Sequence, residues 1–272
     1  KKTQALATNE RYQSQFKGIV DGSSPEWLDG LRRQGMKDFS SLGFPTARRG
    51  NENWKYTNIN AIANTEFDIA PASDVTLEGL KQSAPWDDDW TTLVFVNGRY
   101  SADMSNPSTD ASVTVGSISE LTRSNGNILE SHLTSIAPTA NDGFAALNTA
   151  FVQDGAFVHV AEGVDLETPL HLLFVSTANE TPFITHPRVL VVAGKESNST
   201  IIESYVGVGE GKYFSNVVSE IILEAGAQVD HYRLLDESDE AYHVGVARVS
   251  QGDGSSFSSA AFYNNVRLGR HD

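Results

Sequence analysis

The chain has 272 residues, 39% of them hydrophobic and 20% charged, with a formal charge of −15 and no cysteine. That balance supports a proper core and excludes wholesale disorder, while the missing thiols exclude disulfides, thiolate catalysis and cysteine-ligated zinc or iron–sulfur centres within the chain. The charge is uneven, with ten Lys/Arg against six Asp/Glu in residues 1–60 and ten against twenty-nine in 61–272, so the body repels polyphosphate and nucleic acid is not an expected partner.

In chain order, Leu6, Tyr12, Phe16, Ile19 and Val20 are loosely helix-spaced, and Asp21–Ser24 break the pattern. A second helix is predicted at once. Ser24 serves as its cap, Pro25 suits the first turn, and Trp27, Leu28, Leu31, Phe39 and Leu42 trace its apolar stripe. Gly43 ends it and Pro45 prevents resumption, which opens the dense stretch GFPTARRGNENWKYT (Gly43–Thr57). Val75–Ser83 reads as a short helix and Pro85–Trp90 as a loop. Leu93–Val96 reads as a strand turning at Asn97–Gly98 into Arg99–Tyr100, and a helix is predicted near Ile128–Ile136. No apolar run approaches the roughly 18 to 20 residues of a membrane span, and KKTQALATNERYQ has no apolar leader core. The expected location is cytoplasmic, without membrane contact, and the opening without methionine suggests a trimmed or partial product.

From Phe157 a weak repeat of strand, small turn and strand appears in FVHVAEGVDLETPLHLLFV, RVLVVAGKESNSTIIESYV, EIILEAGAQVDHYRLLD and ARVSQGDGSSFSSAAFY. Its marker glycines, Gly163, Gly194, Gly226 and Gly252 or Gly254, are spaced by 31, 32, and 26 or 28 residues. Such a period suits stacked units. A parallel β-helix and an antiparallel sandwich both accommodate it.

The chemical candidates each carry a plain alternative. Seven histidines lack short metal-ligand spacing; His159 and His171, or His231 and His243, can meet across strands, although ordinary strand histidines are the simpler reading. Gly207–Tyr213 resembles a phosphate loop but has the wrong glycine spacing and a Tyr after Lys212, so it reads as a turn. Asp87–Asp89 would supply acid/base or calcium ligands in a β-helical polysaccharide lyase or hydrolase, or simply form a solvated bend. Arg48, Arg49 and Lys55 beside Trp54 and Tyr56 resemble a single-strand stacking platform. The alternative places Trp54 and Tyr56 on the same side of an extended segment, anchoring the helical arm to the β body.

The helical arm, then GFPTARRGNENWKYTNI, LVFVNGRY and the glycine-turn repeat, closely resembles the SufD proteins of iron–sulfur cluster assembly, relatives of SufB. The signature residues are Gly43, Pro45, Thr46, Asn53, Trp54, Lys55, Tyr56 and Thr57, with Arg48–Gly50 lengthening the usual spacing. The resemblance implies a mainly β fold, a right-handed parallel β-helix preceded by a small N-terminal helical region. Residues 1–90 would be arm and linker, and 91–272 a β-helix core truncated at its C-terminal side. It implies a non-catalytic scaffold subunit of a SufBCD complex, pairing with a SufB-like subunit and binding a SufC-like ATPase, with a homodimer through the β-helix as a further expectation. No catalytic, cofactor or metal residue is expected in this chain; a cluster would form transiently on the assembled complex.

Overall fold

The computed structural model describes residues 10–45, 52–124 and 126–272. Thr46, Arg48 and Arg49 of the dense stretch lie outside the described residues. The helices are α1 (10–16), α2 (Glu26–Leu42), α3 (Asn60–Asn64), α4 (Leu77–Ser83), α5 (Ile118–Ser124), α6 (Gly126–His132) and α7 (Gly143–Phe151). The strands are β1 (Asp68–Ile69), β2 (Thr91–Val96), β3 (Arg99–Tyr100), β4 (Val113–Ser117), β5 (Ala156–Val160), β6 (Leu170–Thr177), β7 (Phe183–Thr185), β8 (Arg188–Ala193), β9 (Asn198–Val208), β10 (Tyr213–Leu223), β11 (Gln228–Asp236), β12 (Tyr242–Gln251), β13 (Ser256–Asn265) and β14 (Leu268–His271).

From β5 onward the chain alternates between two sheets. In one sheet β2, β6, β9, β11 and β13 stack parallel; in the other β5, β8, β10, β12 and β14 do the same. The result is a parallel β-solenoid of about four turns carrying N-terminal helices. A sandwich of hairpins would need antiparallel ladders, which among the named strands occur at β2–β3 and β4–β5. The first is the predicted Asn97–Gly98 hairpin, with φ of 50° and 78° at its two turn residues, the primed geometry that matches strand twist.

The small turns stack as the strands do. Gly163 N–H donates to the Lys195 carbonyl at 2.8 Å, Glu196 to Ala225 at 2.9 Å and Gly226 to Asp253 at 2.9 Å, so each turn's backbone is satisfied by the next coil. At the shared left-handed position stand Gly163 (φ 72°), Glu196 (57°), Gly226 (72°) and Gly254 (68°). Gly194 and Gly252 have a different task. A Cβ on Gly194 would lie 2.7 Å from the Val160 carbonyl oxygen, and one on Gly252 2.7 Å from the Ala225 nitrogen, so they let neighbouring turns touch. The sequence repeat therefore mixes two structural positions.

Helices α2, α5, α6 and α7 cover the outer face of the second sheet. Gly35 of α2 meets α7 so closely that a Cβ would lie 2.7 Å from the Ala150 nitrogen. Beneath, a fully buried Arg188 pairs with Glu220, whose carboxylate also accepts the backbone N–H groups of Thr134, Ile136 and Ala137 at 2.8, 3.1 and 3.1 Å. That carboxylate fixes the segment between α6 and α7 to the sheet. Ser24 does not cap α2; its hydroxyl accepts from Arg32 at 2.7 Å, because the Arg32–Asp29 pair turns inward there. Leu42, read as part of the stripe, is exposed.

Candidate functional site

Strand alternation decides what enters the solenoid. On β11, Val229, His231, Arg233 and Leu235 are buried while Gln228, Asp230 and Tyr232 face solvent. On β9 the same period sends Ile201, Glu203 and Tyr205 inward. In the early coils the interior is apolar, built from Leu93, Phe95, Leu172, Phe174, Val189 and Val191. In the later coils it becomes ionic.

Glu203 is the hub, with no exposed surface. It accepts from Arg233 at 3.1 Å, from the His231 Nε2–H at 3.0 Å and from the Tyr205 hydroxyl at 2.7 Å. Burial alone would raise this carboxyl; Arg233, with the hydrogen bonds from His231 and Tyr205, outweighs it and holds Glu203 well below the usual carboxylate range. Burial, then the Glu203 charge, pushes the Tyr205 phenol well up. Arg233 also reaches the His271 Nδ1 at 3.1 Å. Burial, then His243 and Arg233, lowers His271 and keeps it neutral.

A second carboxylate, Glu237, accepts from His243 Nδ1–H at 2.8 Å and from the Ser215 hydroxyl at 2.9 Å. The His243 and His271 rings stand 4.9 Å apart, and a Cβ on Gly245 would lie 2.1 Å from His271 Nδ1, so Gly245 makes the room. These partners assign tautomers. Arg233 donates to His271 Nδ1, which puts the His271 proton on Nε2, a buried nitrogen without a hydrogen-bond partner among the described residues. Among the described residues no group of three or more His, Asp or Glu is placed to hold a metal. The network is an ionic core that ties β9, β10, β11, β12 and β14 together, with His243 Nε2 and His271 Nε2 buried and unpartnered among the described residues.

The dense stretch Gly43–Thr57 forms the second centre. Glu52–Trp54 is a single 3-10 turn, not an extended segment. With about three residues per turn, positions two apart diverge: Trp54 is buried and Tyr56 is 90% exposed, with Lys55 above its ring. The shared anchor expected of Trp54 and Tyr56 is therefore carried by Trp54 alone. Its indole lies between Phe144 of α7, centroids 5.2 Å apart, and the Arg270 guanidinium of β14, 3.9 Å from the ring. Arg270 also donates to the Thr57 hydroxyl at 2.8 Å. Gly43 caps α2 through a bond from its N–H to the Phe39 carbonyl at 2.7 Å and presses against Gly143, where a Cβ would lie 2.1 Å from the Gly43 oxygen. The stretch joins α2, α7 and the last coil.

The remaining candidates separate. His159 and His171 sit on different sheets, and His171 bonds the Ser204 hydroxyl at 2.9 Å. His231 and His243 each find a carboxylate rather than each other. Asp88 accepts from Lys81 and from the Trp86 indole, and Asp87 accepts from the Asp89 backbone, which makes the acidic triplet a bend. Gly207–Tyr213 links β9 to β10 as a turn. Glu203 and Arg233 were missed because a charge in a strand usually marks the wet face. Their signal was the alternation in IIESY and HYRLL.

Comparison with known proteins finds matches along nearly the whole chain. Residues 6–172 match a family model described as SufBD protein N-terminal region, and residues 174–272 match the SufBD core domain of the SUF system for FeS cluster assembly. A SufBD family protein of Synechocystis, named for iron-sulfur cluster assembly, is 30% identical over 89% of this chain and 55% of its own length. The iron-sulfur cluster assembly protein SufD of Bacillus subtilis is 26% identical over 83% of this chain and 52% of its own. That of Escherichia coli is 24% identical over 78% and 47%. The chain spans about half the length of these curated relatives.

Proposed function

From the premise that the chain belongs to the SufBD family, we propose that it is a non-catalytic scaffold subunit of an iron–sulfur cluster assembly complex. In this reading it pairs with a SufB-like subunit through the solenoid and binds a SufC-like ATPase. A cluster forms transiently on the assembled complex, in the cytoplasm, and none is held by this chain alone. Among the described residues no helix is long and apolar enough to cross a membrane.

One observation carries the reading: both family models together span nearly the whole chain, while its most polar residues are spent on one another inside the solenoid. Glu203 and Arg233 are buried in the solenoid and bonded across its coils, which supports a role in holding the coils together. The polysaccharide-enzyme reading gains nothing from Asp87 and Asp88, whose carboxylates accept from the Asp89 backbone and from Lys81 and the Trp86 indole.

The test is capture by tagged full-length protein in its native cells. Co-purification with SufB-like and SufC-like proteins is expected. Repeated failure to retain either would remove the proposal.

A further inference from the structure

Among the described residues, the outer face of the first sheet is covered over its first strands and uncovered over its later ones. Over β2 and β6 it is capped by α4 and the segment after it, with Leu80 fully buried against Val94, Leu173, Val175 and Val206. Beyond that the face continues across β9, β11 and β13 with apolar side chains in register: Ile202 beside Tyr232 beside Ala260, and Leu234 beside Phe262. Tyr232 is 41% and Phe262 56% exposed. Tyr232 and Phe262 are diagonal neighbours on this face, and exposed large aromatics on one sheet face are a mark of an interaction surface.

The rim is acidic. On β11, Asp230 stands near the start and Asp236 at the end, each accepting a hydrogen bond, from Ser258 and Asn264, and neither is in an ion pair among the described residues. Three strands span about 10 Å, the width of one helix. Six residues of strand separate the two carboxylates by about 20 Å, which is about 13 residues of helix.

We propose that this face docks an amphipathic helix of a partner protein, lying along β11, with its apolar stripe on Tyr232, Leu234 and Phe262 and cations about 13 positions apart facing Asp230 and Asp236. The same sheet already accepts α4 in this way, with a buried leucine inward. The inference rests on the scaffold reading, which supplies a protein partner, and adds where and by what chemistry that partner binds.

A photo-reactive phenylalanine analogue placed at Tyr232 or at Phe262 of the full-length protein, irradiated in native cells, tests it. Adducts to one helical segment of another protein, with flanking Lys or Arg, are expected. The double variant Asp230→Lys, Asp236→Lys should lower that yield several-fold while the melting temperature holds. Adducts to residues of the same chain, adducts to a second copy, or no adduct would each overturn the inference. An unchanged yield in the double variant would also overturn it. Retained capture of the SufB-like and SufC-like proteins without an adduct would overturn this docking site alone; loss of their capture is the separate failure of the scaffold reading.

Discussion

At the scale of single residues, burial of titratable groups sets the response to pH. His171 is fully buried beneath Trp90, and burial lowers it to about 4. Its folded pKa lies below the unfolded value near 6.5, so its contribution is complete above about 6.5 and is lost as pH falls toward about 4. Between those values the unfolded chain takes a proton that the folded chain refuses, a slope of about 1.4 kcal/mol per pH unit. Glu203 is also depressed, so it acts in a separate window, below the ordinary carboxylate range. Urea titrations between pH 7 and 4.5 should show a shallower decline for His171→Gln than for the parent protein. Equal slopes would mean that the imidazole accepts its proton in place. Nothing in the sequence marked His171 as the buried one of its pair with His159, because a strand's periodicity tells two faces apart without saying which is covered.

At the scale of elements, the solenoid was legible through its turns and only partly through its strands. Glycine marked the turns, but Gly194 and Gly252 serve close approach while Gly163, Gly226 and Gly254 serve a left-handed backbone, so counting all of them as one series blurred the register. The turn of the second coil places Glu196 where the others place glycine. The left-handed conformation costs a side-chain-bearing residue about 1–2 kcal/mol, against about 0.5–1 kcal/mol of chain entropy for glycine. Glu196→Gly should therefore stabilise by about 0.5–1 kcal/mol and raise the melting temperature; a lower melting temperature would show that the Glu196 side chain contributes more than its backbone strain costs. Other elements were hidden for local reasons. The fully buried helix α7, GFAALNTAF, has no polar face to reveal a period, and a 3-10 turn at Glu52–Trp54 overrode the alternation assumed for Trp54 and Tyr56.

At the scale of the molecule, the dense stretch Gly43–Thr57 lies at the joint between helices and solenoid, and the groups that organise the interior lie elsewhere. Trp54 is sandwiched between Phe144 and Arg270, so the helical arm and the last described strand share one contact across the chain. This is a mechanical link, and the motif's place between helix and solenoid made it readable before any coordinate. The ionic interior around Glu203 was not readable in the same way, since its members come from four strands that only the coil stacking brings together.

The central claim is that the protein contributes position rather than chemistry to cluster assembly. It is tested most directly by reconstituting the full-length protein with its SufB-like and SufC-like partners and measuring retained iron and acid-labile sulfide. The account predicts both on the complete assembly, neither on this protein alone, and their loss when it is left out. A cluster held by the isolated protein, or one formed equally well without it, would contradict the account.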